Sequence, residues 1–249
     1  MTSKSILNSF EPISLSELGN AALLDRVDSK YIFEKEQLPT FLGWLNGNYR
    51  VLEVSNNRCT TYNSVYFDTI DFSLYRAHHC GKGNRLKVRF RNYAENNLTF
   101  FELKFKTNKG RTRKSRISCP QVEKSIKGNS KKFLEGQTQW RATDMHEVLS
   151  IQYKRSTLVH RLSAERITID TDISFENEFG AFNISHLALA ELKQEKSQSS
   201  LFATLMRTNN IREGSISKYC FGMARLVPGL KGNNFKSLIS KFSPAPLCQ

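Results

Sequence analysis

Seven consecutive residues, Arg85-Leu86-Lys87-Val88-Arg89-Phe90-Arg91, alternate basic and apolar side chains without a break. In a β-strand successive side chains leave on opposite faces, so Arg85, Lys87, Arg89 and Arg91 share one face and Leu86, Val88 and Phe90 the other. The apolar face must pack against a core. The cationic face must meet either water or an anion, and that alternative constrains what the rest of the chain can build.

The next two strand-like runs bear on it. Thr99 to Lys106 repeats the pattern with Glu102, Lys104 and Lys106 in phase, and an Asn108-Lys109-Gly110 turn signal leads into Arg111 to Ser118, which reads as an antiparallel meander. From Lys82 to Arg116 there are twelve Lys and Arg against Glu95 and Glu102, a net +10 of the chain's +14. Such a density repels itself unless something negative sits within it. A solvated face is the default for a single strand of this kind. A solvated face, however, mixes signs and carries Thr, Ser and Gln, as Thr60 to Ser64 does, so three basic strands in succession favour an anion.

With 249 residues, 39% of them hydrophobic and 11% aromatic, the chain is long enough and apolar enough for a folded globule with a real core. A pI near 9.7 points to a polyanion, whether nucleic acid, anionic membrane or phosphorylated small molecules. The cysteines, Cys59, Cys80, Cys119, Cys220 and Cys248, are odd in number and show no C-x-x-C spacing. This argues against a disulfide framework or structural zinc and fits a reducing cytosol. Met1 to Pro12 lacks the apolar core of a signal peptide, and no run reaches the ~20 apolar residues of a membrane span, so a soluble cytoplasmic protein is expected.

Along the chain, Ser14 and Glu17 have capping-box spacing ahead of Leu15, Leu18 and Ala22, which predicts a short helix before residue 25. Arg26-Val27-Asp28-Ser29-Lys30 then alternates as a strand with its charges in phase. Leu38, Phe41, Leu42 and Leu45 repeat at helical spacing with Pro39 in the first turn. Strands are predicted at 49–54 and 58–69, and a helical turn at 71–77. A glycine loop is expected over 80–84, and helical pieces from Pro120 to about Ile151, including an apolar stripe of Val148, Leu149 and Tyr153. Strands resume at 156–163, at 166–173 with Arg166, Thr168, Asp170 and Asp172 opposite Ile167, Ile169 and Ile173, and at 186–193 with Glu191 and Lys193 in phase. A helix over 199–208, a final strand or cap at 217–222 and a peripheral segment at 227–249 complete a single expected domain with its core at about 22–226.

A sheet apolar on one side and densely charged on the other can close with its charges inside if helices cover the outer surface, the inverse of a small barrel with an apolar interior. An interior of Lys and Arg with a few carboxylates suits a linear polyanion carrying a divalent metal. Arg26-x-Asp28-x-Lys30-Tyr31, Tyr66-Phe67-Asp68-Thr69, Lys87-Val88-Arg89-Phe90-Arg91, Phe101-Glu102-Leu103-Lys104 and Ser217-Lys218-Tyr219 occur in this order. Together they resemble the VTC polyphosphate polymerase domain, a branch of the triphosphate tunnel metalloenzymes in the CYTH-like superfamily.

That resemblance implies an α+β fold, a closed antiparallel eight-stranded β-tunnel with a basic interior flanked by helices. It implies transfer of the γ-phosphate of ATP onto inorganic polyphosphate with Mn2+ or Mg2+. Carried over residue by residue, Lys30, Arg89, Arg91, Lys104 and Lys218 are the expected catalytic set, Arg116 and Arg155 bind phosphate, and Glu191 binds metal. The in-phase cations Arg26, Lys87, Lys106, Arg166 and Lys193 join the expected phosphate contacts. The chain departs from the family's polymerases at Ser215, where they carry a second lysine, and has Asp28 where the wider superfamily favours a longer Glu-x-Glu-x-Lys set. Hydrolysis of tri- or polyphosphate in the same tunnel is the alternative activity, because water can replace the acceptor phosphate. A non-catalytic polyanion-binding module, for polyphosphate or RNA, is the alternative class. RNA is not the expected partner, since Phe67, Phe90, Phe101 and Phe105 mostly alternate with the charges instead of sharing their face. A separate membrane-protein partner is compatible with the sequence, and the oligomeric state is left open.

Overall fold

The computed structural model describes residues 2–18, 26–195, 199–214 and 216–237. In chain order the elements are α1 (Ser3–Leu7), β1 (Pro12–Ile13), α2 (Leu15–Leu18), β2 (Arg26–Glu34), α3 (Leu38–Leu45), β3 (Tyr49–Leu52), β4 (Thr60–Asp68), α4 (Ser73–His79) and β5 (Arg85–Tyr93). They continue with β6 (Leu98–Lys106), β7 (Thr112–Cys119), α5 (Gly128–Gln137), β8 (His146–His160), β9 (Arg166–Asn177), β10 (Gly180–Asn183), β11 (Leu187–Glu195), α6 (Leu201–Thr208) and α7 (Lys218–Leu226). The capping box forms as its spacing predicts: the Ser14 N–H donates to Glu17 Oε2 at 2.8 Å and the Glu17 N–H donates to Ser14 Oγ at 3.3 Å. Ala22, the third apolar residue of that helix reading, lies outside the described residues.

The chain gathers into two compact units, one of residues 1–61, 153–173 and 183–216, the other of 62–152, 174–182 and 217–249. No single cut in sequence separates them. In unit 1, β2 pairs antiparallel with β11 and β11 with β9, while β3 pairs antiparallel with β8 and parallel with β1. Its core is built by Tyr31 and Phe33 of β2, the predicted Leu38, Phe41, Leu42 and Leu45 of α3, and Phe202 and Met206 of α6, each at most 6% exposed. In unit 2, β4, β5, β6 and β7 form the antiparallel meander read from the sequence. Phe67, Leu86, Val88, Phe90, Phe101 and Leu103 leave its strands on the core side, where Leu74 of α4 and Leu134 of α5 pack with them.

Eight strands lie on one hydrogen-bonded path, β2-β11-β9-β8-β4-β5-β6-β7, with β1, β3 and β10 attached beside it. The α+β, antiparallel reading with flanking helices therefore holds. The eight-stranded closed form does not appear as hydrogen-bond closure: the described sheet has eleven strands, and no pairing joins the two end strands of the path.

Two local expectations are corrected. Val148, Leu149 and Tyr153 belong not to a helix but to β8, a 15-residue strand that starts at His146. Val148 and Leu149 are both buried, and so is every residue from Ser156 to Val159. The adjacent burial of Val148 and Leu149 breaks the alternation in the first half of β8, whereas Ser156 to Val159 fall within the strand predicted at 156–163. At 217–222 the chain is helical, not extended: Ser217 is the N-cap of α7, its Oγ accepting from the Cys220 N–H at 3.3 Å. Within α7, a Cβ at Gly222 would meet Phe175 Cδ1 at 2.7 Å, so only glycine lets the helix approach that ring.

Candidate functional site

In unit 2 the antiparallel register sets the charged side chains in rows across the strands, since residues directly opposite each other share a face. Lys87 of β5 stands opposite Lys104 of β6, and Lys104 opposite Lys114 of β7. The adjacent row runs Tyr66 of β4, Arg89, Glu102 and Arg116. The next runs Ser64, Arg91, Phe100 and Ser118, and Arg85 stands opposite Lys106 on the far side of the lysines. Neighbouring strands lie only ~4.8 Å apart, so like charges directly opposite destabilise the sheet. The arginine row carries Glu102, and the lysine row sets three cations opposite one another across β5, β6 and β7.

Glu102 binds the arginines closely. Arg89 donates to its Oε2 from Nε at 2.7 Å and from Nη2 at 2.5 Å, and Arg91 Nη1 lies 3.9 Å from the same oxygen. Burial pushes the Glu102 carboxyl up, but the charges of Arg89 and Arg91 and the Arg89 hydrogen bond outweigh it and leave the group below its ordinary range. Arg91, 8% exposed, also donates from Nε to Ser64 Oγ at 3.2 Å. Arg89 Nη1 donates to the hydroxyl of Tyr66 at 2.8 Å. Burial raises that phenol, yet Arg89, Arg91 and Lys87 together bring it below the usual tyrosine value. His78 of α4 is held down to about 3 by burial and by the charges of Lys87 and Arg85, so it stays neutral beside the lysine row.

The first turn of α7 belongs to the same cluster. Lys87 Nζ donates to Ser217 Oγ at 2.7 Å and lies 5.9 Å from the centre of the Tyr219 ring. Lys218 thus sits between two residues that touch the β4–β5 face. Aromatic rings line that face as well: Arg89, Arg91 and Arg116 lie 5.6, 5.3 and 4.3 Å from the ring centres of Tyr66, Tyr62 and Phe100.

Unit 1 has a second charged face. Glu191 of β11 stands opposite Lys30 of β2 on one side and Thr168 of β9 on the other, and Lys193 stands opposite Asp28 and Arg166. Lys193, 7% exposed, is ion-paired with Glu191 and lies 3.3 Å from Asp28. Arg155 of β8 grips Asp170 with two bonds, 2.6 and 2.7 Å. Lys35 and Lys154 both pair with Asp172, whose backbone is left-handed at φ 51°. Burial raises the Glu191 carboxyl, but Lys193, then Lys30 and Arg155, bring it down to about 2.

A sequence model of the VTC domain family matches residues 25–227. The chain belongs to the VTC domain family. Among solved structures, this VTC domain is similar to a candidate adenylyl cyclase from Hippeastrum with a dominant triphosphatase activity, 14% identical over 82% of this chain and 97% of that one, TM-score 0.49. It is also similar to a candidate adenylate cyclase from Bacillus halodurans, 11% identical over 78% and 94% of the two chains, TM-score 0.48. A third similar structure, from Vibrio parahaemolyticus, is 12% identical over 78% and 95%, TM-score 0.46. A search of curated proteins finds no match.

Of the residues singled out in the sequence, the VTC domain's unit 2 brings together Lys87, Arg89, Arg91, Lys104, Lys106, Arg116 and Lys218, and its unit 1 brings together Lys30, Arg155, Arg166, Glu191 and Lys193. Arg26 begins β2, but its side chain lies outside the described residues, as does Ser215. Lys114, Tyr66 and Ser64 were not singled out. Lys114 was legible in principle, because the Asn108-Lys109-Gly110 hairpin fixes which β7 residue faces Lys104. Among the described residues no group of three or more His, Cys, Asp or Glu side chains is placed to hold a metal. The ionised Glu191 fits a hard cation that takes one or two carboxylates and fills its remaining positions with phosphate oxygens and water, as Mg2+ does. No helix among the described residues is long and apolar enough to cross a membrane. Cys59, Cys80, Cys119 and Cys220 are free thiols.

Proposed function

We propose that this VTC domain is a metal-dependent phosphotransferase that uses the γ-phosphate of ATP to extend inorganic polyphosphate in the cytoplasm. The observation that carries the reading is the Lys87–Lys104–Lys114 row beside the Arg89–Glu102–Arg116 row. Three lysines opposite one another beside a row of arginines favour an anionic ligand, and a polyanion supplies charge at every phosphate. In this reading the polar faces line a closed tunnel, as the resemblance implies, and a separate membrane protein takes the product where it must cross a bilayer.

Phosphoryl transfer runs through a loose transition state that is served by alignment and by neutralising the equatorial oxygens. Arg89 and Arg91 clamp phosphate oxygens with planar forks whose orientation Glu102, Tyr66 and Ser64 set. Lys30, Lys104 and Lys218 act as point charges, with Lys87, Lys106 and Arg116 beside them. In unit 1, Arg155 and Lys193 are already engaged by carboxylates, so their role is to orient Asp170 and Glu191. A divalent ion held by Glu191 and phosphate oxygens would supply Lewis-acid polarisation of the transferred group.

Phe67, Phe90 and Phe101 are at most 1% exposed on the core side and offer RNA bases no stacking surface, while Tyr66, Tyr62 and Phe100 on the cationic face lie against Arg89, Arg91 and Arg116. Purified protein incubated with ATP and manganese tests the proposal. Long polyphosphate supports it. Free phosphate or short products would replace it by hydrolysis, and tripolyphosphate binding without turnover would leave a binding module.

A further inference from the structure

Asp68, at the C-terminal end of β4, is 0% exposed, and its carboxylate is used on every side. Oδ1 accepts from the N–H groups of Thr69 and Leu74, both at 2.8 Å; Oδ2 accepts from the Tyr75 N–H at 2.8 Å and from the hydroxyl of Tyr219. Two of those N–H groups belong to the first turn of α4, so Asp68 ties that turn to the second residue of α7. The Tyr219 phenol is driven well above its ordinary value by burial and by the neighbouring Asp68 charge, so it remains a donor. Its ring stacks on Tyr66, with centres 5.0 Å apart and planes at 20°, and the Tyr66 hydroxyl accepts from Arg89.

The Asp68 hydrogen bonds end on the first turn of α4, on the helix turn that carries Lys218 and on the ring that backs Tyr66. Ser217, on the other side of Lys218, is held by Lys87. We infer that Asp68, Tyr219 and Tyr66 form a positioning chain that fixes the Arg89 fork and the first turn of α7 together, so that Arg89 and Lys218 present one preset geometry to a phosphate group. The inference rests on the proposed function for the identity of the anion, and on the geometry above for the chain itself. Asp68 and Tyr219 are positioning residues: they act through Lys218 and Arg89 and touch no ligand. A structural alternative exists, in which Tyr219 merely fastens α7 to the sheet.

Tyr219→Phe separates the two, because it removes one hydroxyl and keeps the stacked ring. Tyr49→Phe is its control. Tyr49 is also a fully buried phenol donating to a buried carboxylate, that of Glu165, but it sits in unit 1 among β3, β8 and β9 and has no place in the cationic rows. Tripolyphosphate binding to the full chain is measured by titration calorimetry alongside thermal unfolding. Both variants should lose stability, since each leaves a buried carboxylate short of a donor. Tyr219→Phe should in addition bind tripolyphosphate about tenfold more weakly, the equivalent of one lost charged hydrogen bond, while Tyr49→Phe stays within about twofold of the parent. Tyr66→Phe, which removes the acceptor of Arg89 but leaves α7 tied down, should weaken binding by a similar factor. If Tyr219→Phe and Tyr49→Phe bind alike, the positioning chain is overturned and the functional proposal stands. If the parent protein binds no tripolyphosphate at all, the functional proposal falls and takes the chain's role with it.

Discussion

In unit 2, Lys87, Lys104 and Lys114 face one another across three strands, whereas in unit 1 Lys193 lies between Glu191 and Asp28 and Arg155 is clasped by Asp170. Both faces come from the same device, a strand with its charges in phase. They differ in where the compensating charge comes from. Unit 1 carries its carboxylates in the sequence and folds them against its cations, so its electrostatics are satisfied on folding. In unit 2 the strands β5, β6 and β7 carry Lys87, Arg89, Arg91, Lys104, Lys114 and Arg116 in these rows against Glu102, an excess of cations that favours an arriving anion. The comparison teaches that cation density alone does not mark a binding face; an excess of cations over the carboxylates on the same strands does.

The largest expected effect tests the satisfied half. Arg155→Ala takes from Asp170, with only 5% of its side chain exposed, the guanidinium that grips both of its oxygens. Breaking such a pair costs about 3–5 kcal/mol, read as a fall in unfolding free energy by denaturant titration. The double variant Arg155→Met, Asp170→Leu should recover most of that loss. If Arg155→Ala is no less stable than the parent, Arg155 is not a structural counter-ion and the contrast between the units breaks.

Glu191 gives the next effect, and it depends on pH. Its carboxyl is held at about 2 against an ordinary 4.5, so the unfolded chain binds its proton first. The stabilisation is complete above the unfolded value and is lost as pH falls from about 4.5 towards about 2. The difference in unfolding free energy between the parent and Glu191→Gln should therefore shrink across that window and be flat above it. A difference that grows on acidification would contradict the ion pair with Lys193.

Arg89→Lys comes third. It keeps the charge and removes the fork that meets Glu102 and Tyr66, so tripolyphosphate affinity should fall about tenfold or more with a small change in stability. Equal affinity would mean that Arg89 serves the sheet and not the anion.

How much of this was legible beforehand follows the same physics. The meander from Arg85 to Ser118 was readable because one face is apolar and buried and the other charged, the condition under which period-2 alternation survives. The first half of β8 was not, because the adjacent Val148 and Leu149 are both buried and break the alternation, while its second half lies in the strand read at 156–163. The α7 helix was missed because Ser217-Lys218-Tyr219-Cys220 alternates like a strand, and only the Ser217 cap decides otherwise. Among site residues, in-phase cations were found by counting along one strand. Lys114 and Tyr66 needed the register between strands, and Asp68 needed a contact 151 positions away along the chain.

The smallest expected effect addresses the lysine row itself. Lys104→Gln removes one of three facing ammonium groups, so stability should stay within about 0.5 kcal/mol of the parent, with the sign favouring the variant because repulsion is relieved. Affinity for tripolyphosphate should nonetheless fall by about threefold to tenfold. The control is Arg113→Gln, the same loss of charge at an exposed position that stands opposite Phe105 and therefore leaves β7 on the other face. Raising ionic strength should narrow the difference between the two variants, because an exposed charge acts on an anion through screened water. A general basic surface would make Lys104→Gln and Arg113→Gln equivalent. A row that recruits an anion would not, and it would show the unusual pairing of weaker binding with undiminished stability.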